Sequence, residues 1–229
     1  GDVLTDVDLG AVGRGHLAAR ADATLVLTRV EDTSTFGVCV LEGDRITGFV
    51  EKPPPGTLPG HDAINAGTYV LEPDAMRRFP QGRLSFEREV FPGLVAEGAL
   101  VRGVVSDAVW ADLGTPERYL QGHRFALSGA LSWPVLAAVP PDGDGVRRQR
   151  DVEVAADARV QGPVLLGAGT TIAAGASVGP DVVLGLGCRI GEEVTITDSV
   201  LGAGTSIGGG ATVRGLVTGT GARVGAGAA

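Results

Sequence analysis

The spacing of apolar residues changes character part-way along the chain. Up to about residue 130, apolar runs with strand-like spacing are interspersed with runs at the spacing of helices. From Val154 onward, aliphatic residues instead recur every six positions. We therefore predict two domains, 1–130 and 151–229, joined by a linker over 131–150 that contains a Pro- and Gly-rich turn sequence.

The first domain begins with a helix and several strands. Residues 9–21 carry apolar side chains at helical spacing, so we predict a helix there. Residues 23–30 form a continuous aliphatic run, which is typical of a strand covered on both faces. We expect residues 36–53 to form a hairpin that turns at Glu42-Gly43-Asp44, and residues 64–71 to form another strand.

Two further helices are predicted, each with a signal at its start. Residues 85–95 follow the capping hydroxyl of Ser85, and we expect Pro92 to limit this helix. We predict one or two strands within residues 100–110. A second helix starts at Thr115-Pro116-Glu117, where a capping hydroxyl precedes a proline and an acid that favours the helix dipole. Alternating strands and helices imply an α/β domain with a mainly parallel sheet.

The second domain is a repeat of six residues. Its aliphatic positions are Val154, Val160, Leu166, Ile172, Val178, Leu184, Ile190 and Ile196, followed after one shortened step by Leu201, Ile207 and Val213. The fourth residue after each is small or β-branched, and both positions point inward when three short strands make one triangular turn. Stacked turns rise by about 4.8 Å, the ordinary spacing of strands. The pattern resembles the left-handed β-helix of hexapeptide-repeat proteins, an all-β fold.

Glycine-rich strings within this repeat look like fragments of a dinucleotide-binding fingerprint. GAGTTI, GLGCRI, GAGTSI and GTGARV, however, all follow the six-residue spacing and open no helix. We interpret their glycines as corner residues of the β-helix, where other residues resist the required backbone conformation.

Composition and charge narrow the possible functions. A net charge of -8 and a pI near 4.9 argue against a nucleic-acid partner, which requires a clustered excess of Lys and Arg. No apolar stretch approaches the length of a membrane span and no basic-then-apolar leader opens the sequence, so we expect a cytoplasmic protein without a membrane partner. Cys39 and Cys188 lack metal-ligand spacing and are expected to be small buried residues.

Five segments in order resemble the sugar-1-phosphate nucleotidyltransferase family. They are GDVLTDVDL (1–9), FGVCV with ITGFVEKP (36–53), INAGTYVLEP (64–73), SFEREVFP (85–92) and WADLGTPERYL (110–120). The SFEREVFP segment and the attached β-helix narrow the resemblance towards mannose-1-phosphate guanylyltransferases. The resemblance implies the C-terminal part of a Rossmann-like nucleotidyltransferase domain over nearly all of residues 1–127.

The reaction that this resemblance implies joins two polyanions. A sugar-1-phosphate oxygen attacks the α-phosphorus of a nucleoside triphosphate, with GTP and mannose-1-phosphate favoured, and pyrophosphate leaves. Catalysis then requires a metal ion, cations and rigid positioning, and Mg²⁺ accepts carboxylate and phosphate oxygens together. The resemblance assigns Asp2 and Asp112 as catalytic metal ligands. We expect both carboxylates to emerge before loops at the carboxyl edge of a parallel sheet and to hold a single cation beside the sugar pocket.

The resemblance also assigns the residues that bind the sugar phosphate. Glu51 accepts hydrogen bonds from sugar hydroxyls, and Lys52, which we also count as catalytic, reaches the phosphate. Being adjacent on a strand, these two side chains point to opposite faces unless a bulge or turn intervenes. Asn65 and Gly67 meet the sugar through an amide and the backbone, and Gly37 permits a close backbone approach.

Several alternatives remain at the level of sequence. A hexapeptide-repeat acyltransferase depends on a histidine from its coils, and this repeat contains none, so we assign the coils to homo-oligomer contacts, stability or regulation. A non-catalytic subunit that senses a nucleotide sugar remains open. So do thymidylyl, uridylyl and adenylyl transfer to glucose-1-phosphate.

The element that cradles the triphosphate is not found in this sequence. The family places a Gly-rich loop with Arg and Lys before the segment that begins here at Gly1, and nothing within residues 1–229 replaces it. We therefore expect further sequence upstream, and we expect residues 1–229 alone to be inactive in nucleotidyl transfer.

Overall fold

The computed structural model describes residues 2–58, 60–131 and 134–229. The chain divides into two compact units. Unit 1 comprises Val3–Trp110, and unit 2 comprises Asp2 together with Ala111–Ala229. The second unit thus includes a helix that the sequence assigned to the first domain, as well as the repeat.

Unit 1 consists of short strands and helices. Its strands are β1 (Val3–Thr5), β2 (Ala23–Arg29), β3 (Gly37–Glu42), β4 (Arg45–Glu51), β5 (Ala63–Leu71), β6 (Val101–Val105) and the first residue of β7 (Trp110–Asp112). Its helices are α1 (Leu9–Ala19), α2 (Pro73–Met76), a π-helical turn (Phe86–Val90) and α3 (Phe91–Ala96). The predicted first helix, the hairpin and the strand over 64–71 are confirmed, whereas α2 was not predicted.

The strands of unit 1 close into a barrel in the order β2-β5-β3-β4-β6. Within the described residues of this barrel, β2 and β6 pair in parallel, while β2 with β5, β3 with β4, β3 with β5 and β4 with β6 are antiparallel. The nucleotidyltransferase type of domain, with helices and a sheet, is confirmed, but the expectation of a mainly parallel sheet is wrong for these strands. A tight turn joins β3 to β4, and such a connection can only produce an antiparallel pair.

Strand β2 and helix α3 contribute large buried side chains to the core of unit 1. Leu25 and Leu27 of β2 are fully buried, as the continuous apolar run predicted. Phe91 and Leu94 of α3 are fully buried against the same cluster. Val90 and Phe91 lie at the junction between the π-helical turn and α3, and Pro92 occupies the first turn of α3, where its missing N–H costs nothing. The expectation that Pro92 limits this helix is therefore wrong.

Unit 2 contains α4 (Pro116–Ser128), α5 (Pro134–Ala137) and a β-helix. The strands of the β-helix are β8 (Val146–Arg148), β9 (Glu153–Val154), β10 (Arg159–Val160), β11 (Val164–Leu166), β12 (Thr171–Ile172), β13 (Ser177–Val178), β14 (Val182–Leu184), β15 (Arg189–Ile190), β16 (Thr195–Thr197), β17 (Ser199–Leu201), β18 (Ser206–Ile207), β19 (Thr212–Arg214) and β20 (Arg223–Val224). They stack in parallel into three sheets, ordered β17-β14-β11-β8, β10-β13-β16-β19 and β20-β18-β15-β12-β9. The predicted all-β solenoid is confirmed.

Strand register explains the shortened step in the repeat. Val164 pairs with Val182, 18 residues later, but Val182 pairs with Ser199, 17 residues later. The lost residue belongs to the corner before β17, where Asp198 adopts φ 47°. Because the corner absorbs the deletion, Leu201 still faces the core and is 1% exposed.

The β-helix begins earlier than its repeat suggests. Strand β8 pairs in register with β11, Val146 opposite Val164, although residues 146–148 fall in the segment interpreted as a linker. Val146 is fully buried in the same core as the later rungs. The buried guanidinium of Arg147 donates to the carbonyl oxygens of Leu136 and Val139, which ties the preceding segment to the first rung.

One outer face of the β-helix carries apolar residues, and a helix of unit 2 packs against part of it. Leu165, Val183 and Val200 occupy corresponding middle positions of β11, β14 and β17. Helix α4 packs against β17, and Arg124 of α4 forms an ion pair with Asp198 at the adjoining corner. In the part of the chain that the structure describes, no helix combines the length and apolarity needed to cross a membrane.

Candidate active site

A cavity of about 290 Å³ opens between the hairpin, β5 and the π-helical turn of unit 1. Its lining residues are Gly37, Phe49, Glu51, Asn65, Glu87, Arg88, Phe91 and Pro92. We call this the sugar pocket. Its volume falls at the lower end of the range of small-molecule sites. Three of the predicted sugar-binding residues, which lie on three different strands, meet here.

Strand register brings Gly37 and Glu51 together at the mouth of the hairpin. The two residues are cross-strand partners of β3 and β4. A Cβ atom on Gly37 would lie 3.2 Å from Oε2 of Glu51, a tight contact. The glycine therefore leaves space beside a carboxylate that remains exposed to the pocket. An ionised carboxylate in this position can accept strong hydrogen bonds from hydroxyl groups.

Asn65 and Gly67 lie at a bulge in β5. Leu25 pairs with Tyr69 and Leu27 with Asn65, so β5 holds extra residues opposite β2. Gly67 adopts φ +73° in this bulge, a conformation that favours glycine, and a Cβ there would lie 3.2 Å from a methyl of Val3. Gly67 thus shapes β5, although it does not line the sugar pocket.

Hydrogen bonds orient the amide of Asn65. Its Oδ1 accepts from the backbone N–H of Gly67 at 3.0 Å. Its Nδ2 donates to Oη of Tyr69 at 2.8 Å and to Oε1 of Glu87 at 3.3 Å. Both amide protons are therefore engaged, and the free capacity of this side chain is a lone pair of Oδ1.

Lys52 follows β4 with an unusual backbone conformation. Its φ of 47° lies in the left-handed region, which costs a non-glycine residue roughly 1–2 kcal/mol. Its N–H donates to the carbonyl oxygen of Phe36 at 3.0 Å. The strand therefore ends in a turn at Lys52. Such a turn removes the constraint that the side chains of two adjacent strand residues, Glu51 and Lys52, point to opposite faces. Lys52 is exposed and does not line the sugar pocket, whereas Glu51 does.

Two charged residues of the pocket were not predicted from the sequence as site residues. Glu87 and Arg88 project from the π-helical turn, which begins after Ser85 with the hydroxyl of that residue accepting from the N–H of Arg88 at 3.3 Å. Nη2 of Arg88 lies 3.9 Å from Oε1 of Glu51. The sequence signal for these residues was the pair Glu87-Arg88 directly after Phe86, at the start of a helix capped by Ser85. Only the tertiary fold shows that this pair lies next to Glu51 of the hairpin.

Aromatic side chains form the floor of the sugar pocket. Phe91 lies 6.1 Å from Phe49 and 4.8 Å from Tyr69, measured between ring centroids. Desolvation raises the pKa of the Tyr69 hydroxyl above its usual value, and the pKa of the Cys39 thiol rises to about 12, mainly through burial and further through the charge of Glu87. Cys39 is therefore an inert, buried thiol, as expected.

The second candidate feature is a pair of carboxylates in unit 2. A Cβ atom on Gly114 would lie 3.2 Å from Oδ1 of Asp112 and 3.4 Å from Oδ2 of Asp2, so both side chains face one point. The N–H of Leu113 donates to the carbonyl oxygen of Asp2 at 2.6 Å, which holds the two segments together. We call Asp2 and Asp112 the carboxylate pair.

The environment of the carboxylate pair suits a partly exposed ion site. Oδ2 of Asp112 forms an ion pair with Nη1 of Arg118, while Oδ1 accepts from the N–H of Gly114 at 3.1 Å. The described residues contain no cluster of three or more His, Cys, Asp or Glu side chains that could hold a metal. Mg²⁺ does not require such a cluster, because it is commonly bound by one or two carboxylates together with water and phosphate oxygens.

Three further polar side chains, on Trp110, Thr115 and His16, have structural roles. Nε1 of Trp110 donates to the carbonyl oxygen of Ala66 at 2.9 Å, which supports the bulge of β5. Thr115 caps α4 by accepting from the N–H of Arg118 at 3.3 Å. His16 is 2% exposed, with Nδ1 2.9 Å from Oγ1 of Thr24.

Family models match both parts of the chain. The nucleotidyl transferase model matches residues 1–129, and the GMPPB C-terminal domain model matches residues 160–229. The first match covers more than half of the 229 residues, and it contains the sugar pocket and the carboxylate pair.

Two proteins similar to this chain are described as mannose-1-phosphate guanylyltransferases. The mannose-1-phosphate guanylyltransferase of Mycobacterium tuberculosis is 40% identical over 185 residues, 79% of this chain and 48% of the relative. A probable mannose-1-phosphate guanylyltransferase 1 of Oryza sativa subsp. japonica is 31% identical over 191 residues, 82% of this chain and 47% of the relative. The chain thus spans about half the length of these curated relatives. Together with the fold and the two candidate features, these matches show that the chain belongs to the nucleotidyl transferase family.

Proposed function

We propose that this protein takes part in nucleotidyl transfer to a sugar-1-phosphate, with mannose-1-phosphate as the acceptor and GTP as the donor. The observation that carries the proposal is the convergence of Gly37, Glu51 and Asn65 on one pocket, as the resemblance implied. The names of the similar proteins support the choice of sugar and base.

The residues of the sugar pocket suit a hydroxylated ring. Glu51 accepts hydrogen bonds from ring hydroxyls, and Oδ1 of Asn65 adds a second acceptor. The faces of Phe49 and Phe91 provide apolar surface for the C–H groups of a sugar. We assign Lys52 to the phosphate, whose charge its ammonium offsets. Its strained backbone supports a positional role, because such strain is retained where a residue must be aimed.

We further propose that the carboxylate pair binds Mg²⁺. The fit rests on Gly114, because any larger residue would place its Cβ in the space that both carboxylates face. When bound, such an ion offsets phosphate charge and aligns phosphate oxygens. Asp2 and Asp112 supply oxygen ligands, and the ion pair with Arg118 orients the second oxygen of Asp112.

The β-helix and the cellular setting complete the proposal. We assign the coils to contacts between copies of this chain, because their glycine corners and small side chains form regular surfaces without a histidine for chemistry. We place the protein in the cytoplasm, where nucleoside triphosphates are available.

Binding of mannose-1-phosphate to the 229-residue chain tests the sugar pocket. Glu51→Gln removes the charge but keeps the shape, and we expect the dissociation constant measured by calorimetry to rise by about 10-fold or more, since hydrogen bonds to charged groups contribute about 1.5–3 kcal/mol. Glu42→Gln, at the far end of the same hairpin, is the control and should bind as the parent does. Equal affinities for Glu51→Gln and the parent would refute the assignment.

Binding of Mn²⁺, followed by water proton relaxation, tests the carboxylate pair without an activity assay. Asp112→Asn should weaken Mn²⁺ binding by about 10-fold or more, because the neutral amide is a poor ligand for a hard cation. Asp157→Asn, on an exposed turn of the same unit, should have no effect. If both variants bind Mn²⁺ as the parent does, the carboxylate pair is not a metal site.

A further inference from the structure

A groove of about 430 Å³ runs along the β-helix between two arginine residues. Its lining residues are Arg189, Gly204, Ser206, Gly208, Gly221, Arg223, Val224 and Gly225. We call it the arginine groove. It lies in the repeat, far along the sequence from every residue assigned to the sugar pocket or the carboxylate pair.

Strand register places the two arginines on the same face. Arg189 pairs with Ser206, and Ser206 pairs with Arg223, on three successive rungs. Because stacked strands are spaced by about 4.8 Å, the Cα atoms of the arginines are roughly 10 Å apart. Their long side chains can therefore turn towards each other above the short side chain of Ser206. The neighbouring residues Ile190 and Ile207 are buried in the core and fix this orientation.

The two arginines of the arginine groove are not paired with an acid among the described residues, and the nearest acid on their column, Glu153, lies two rungs from Arg189 on the side away from the groove. Neither guanidinium has an ion pair or hydrogen bond with any of them, and the lining residues include no acid. Elsewhere in the described chain, arginines such as Arg118 and Arg124 do pair with aspartates. Two exposed arginines on one column of a chain with a net charge of -8 form a distinct positive feature.

Small residues leave the floor of the groove open. Gly204 and Gly221 form the corners before β18 and β20, with φ +69° and +71°. A Cβ atom on Gly221 would have nothing within 4 Å, so this corner borders open space, and Ser206 lines the same groove. Guanidinium groups bind phosphate oxygens through two parallel hydrogen bonds, and a serine hydroxyl can donate a third.

We propose that the arginine groove binds a phosphate-bearing small anion, with a diphosphate group as the best match. Each arginine then holds one end of the anion, and Ser206 contacts it between them. Binding there does not depend on the proposed nucleotidyl transfer. The groove is a second anion site, separate in sequence and in charge from the carboxylate pair, which repels phosphate in the absence of a cation.

Calorimetry on the 229-residue chain with inorganic pyrophosphate and with orthophosphate tests the proposal. EDTA in the buffer excludes binding through a cation at the carboxylate pair. We expect pyrophosphate to bind at one site per chain, orthophosphate to bind more weakly, and both affinities to fall as salt is raised from 50 to 300 mM. Absence of pyrophosphate binding at millimolar concentration would overturn the proposal.

Substitutions locate the site. Arg189→Gln and Arg223→Gln should each raise the dissociation constant for pyrophosphate by about 10-fold or more, and Ser206→Ala by a smaller factor. Arg159→Gln is the matched control, since Arg159 is also exposed and also opens a strand of the β-helix, but on a different sheet.

Two further results keep the test decisive. Equal weakening by the control and the groove variants would show non-specific attraction and would refute the site. Unfolding temperatures of the three arginine variants should match that of the parent without ligand, because Arg159, Arg189 and Arg223 are exposed. Asp112→Asn should leave pyrophosphate binding in EDTA unchanged, so failure of the proposed function does not affect the outcome.

Discussion

The barrel of unit 1 and the β-helix of unit 2 bury apolar residues in different ways. The barrel joins strands from distant segments and packs them around aromatic side chains such as Phe91 and Phe49. The β-helix contains no aromatic residue after Val146 and fills its core with aliphatic residues from successive rungs. Each rung therefore contacts only its neighbours, whereas the barrel depends on long-range pairing.

The candidate sugar pocket lies where the barrel departs from regularity. The bulge at Gly67, the turn at Lys52 and the π-helical turn that carries Arg88 all border or support the candidate residues. In the described β-helix a residue is lost at two corners, since Val182 pairs with Ser199 and Ser206 pairs with Arg223, each 17 residues later, and the register recovers both times. Irregular backbone thus lies next to the candidate site residues in unit 1, whereas in unit 2 the strand register is restored after each irregular corner.

Truncation of a core side chain in the β-helix should have the largest effect. It tests whether the stability of the β-helix comes from the side chains that point into its core. Leu184→Ala removes a fully buried side chain, and we expect a loss of about 2–5 kcal/mol in the free energy of unfolding, measured with denaturant. Leu186→Ala is the matched control, because Leu186 is two residues away and 58% exposed, and it should change stability by less than about 0.5 kcal/mol. Similar losses for both variants would contradict the assigned register.

The bulge of the barrel gives a smaller expected effect. Gly67→Ala places a side chain at φ +73° and against Val3, so we expect a loss of about 1–3 kcal/mol, measured by denaturant unfolding. Gly13→Ala in α1 should instead be stabilising by about 0.5–1 kcal/mol, since nothing lies within 4 Å of its new Cβ. A neutral Gly67→Ala would show that the bulge is not constrained.

Removal of a helix cap should cause the smallest loss of stability, and the two caps, one in each unit, should differ in their effect on ligand binding. Ser85→Ala and Thr115→Ala each remove a side-chain acceptor from a helix start, and each should cost about 0.5–2 kcal/mol in thermal unfolding. Only Ser85→Ala should also weaken mannose-1-phosphate binding, because Ser85 positions the turn that carries Glu87 and Arg88. If the two variants bind mannose-1-phosphate with equal affinity, the π-helical turn does not contribute to binding of this ligand.

Local sequence signals predicted much of the fold. The six-residue spacing identified nearly every inward residue of the β-helix, including Cys188, which is fully buried. The capping hydroxyls of Ser85 and Thr115 located two helix starts. Such signals succeed because caps and repeats depend on residues only a few positions apart.

Strand direction and the extent of unit 2 were harder to predict. Whether β5 runs parallel or antiparallel to β2 depends on partners about 40 residues away, and local spacing carries no such information. The rung formed by Val146–Arg148 precedes the periodic run, so the spacing could not reveal it. Helix α4 belongs to unit 2 and packs against β17, a contact between distant segments that local spacing could not reveal.

The sequence by itself determined the repeat, the caps and the identities of Asp2, Asp112, Glu51 and Asn65 as candidates, because each depended on short motifs. Only the tertiary structure decided that Asp2 and Asp112 face one point, and that Glu87 and Arg88 join Glu51 in a pocket. Side chains distant along the chain meet through strand pairing and packing, and these are properties of the whole fold rather than of any segment.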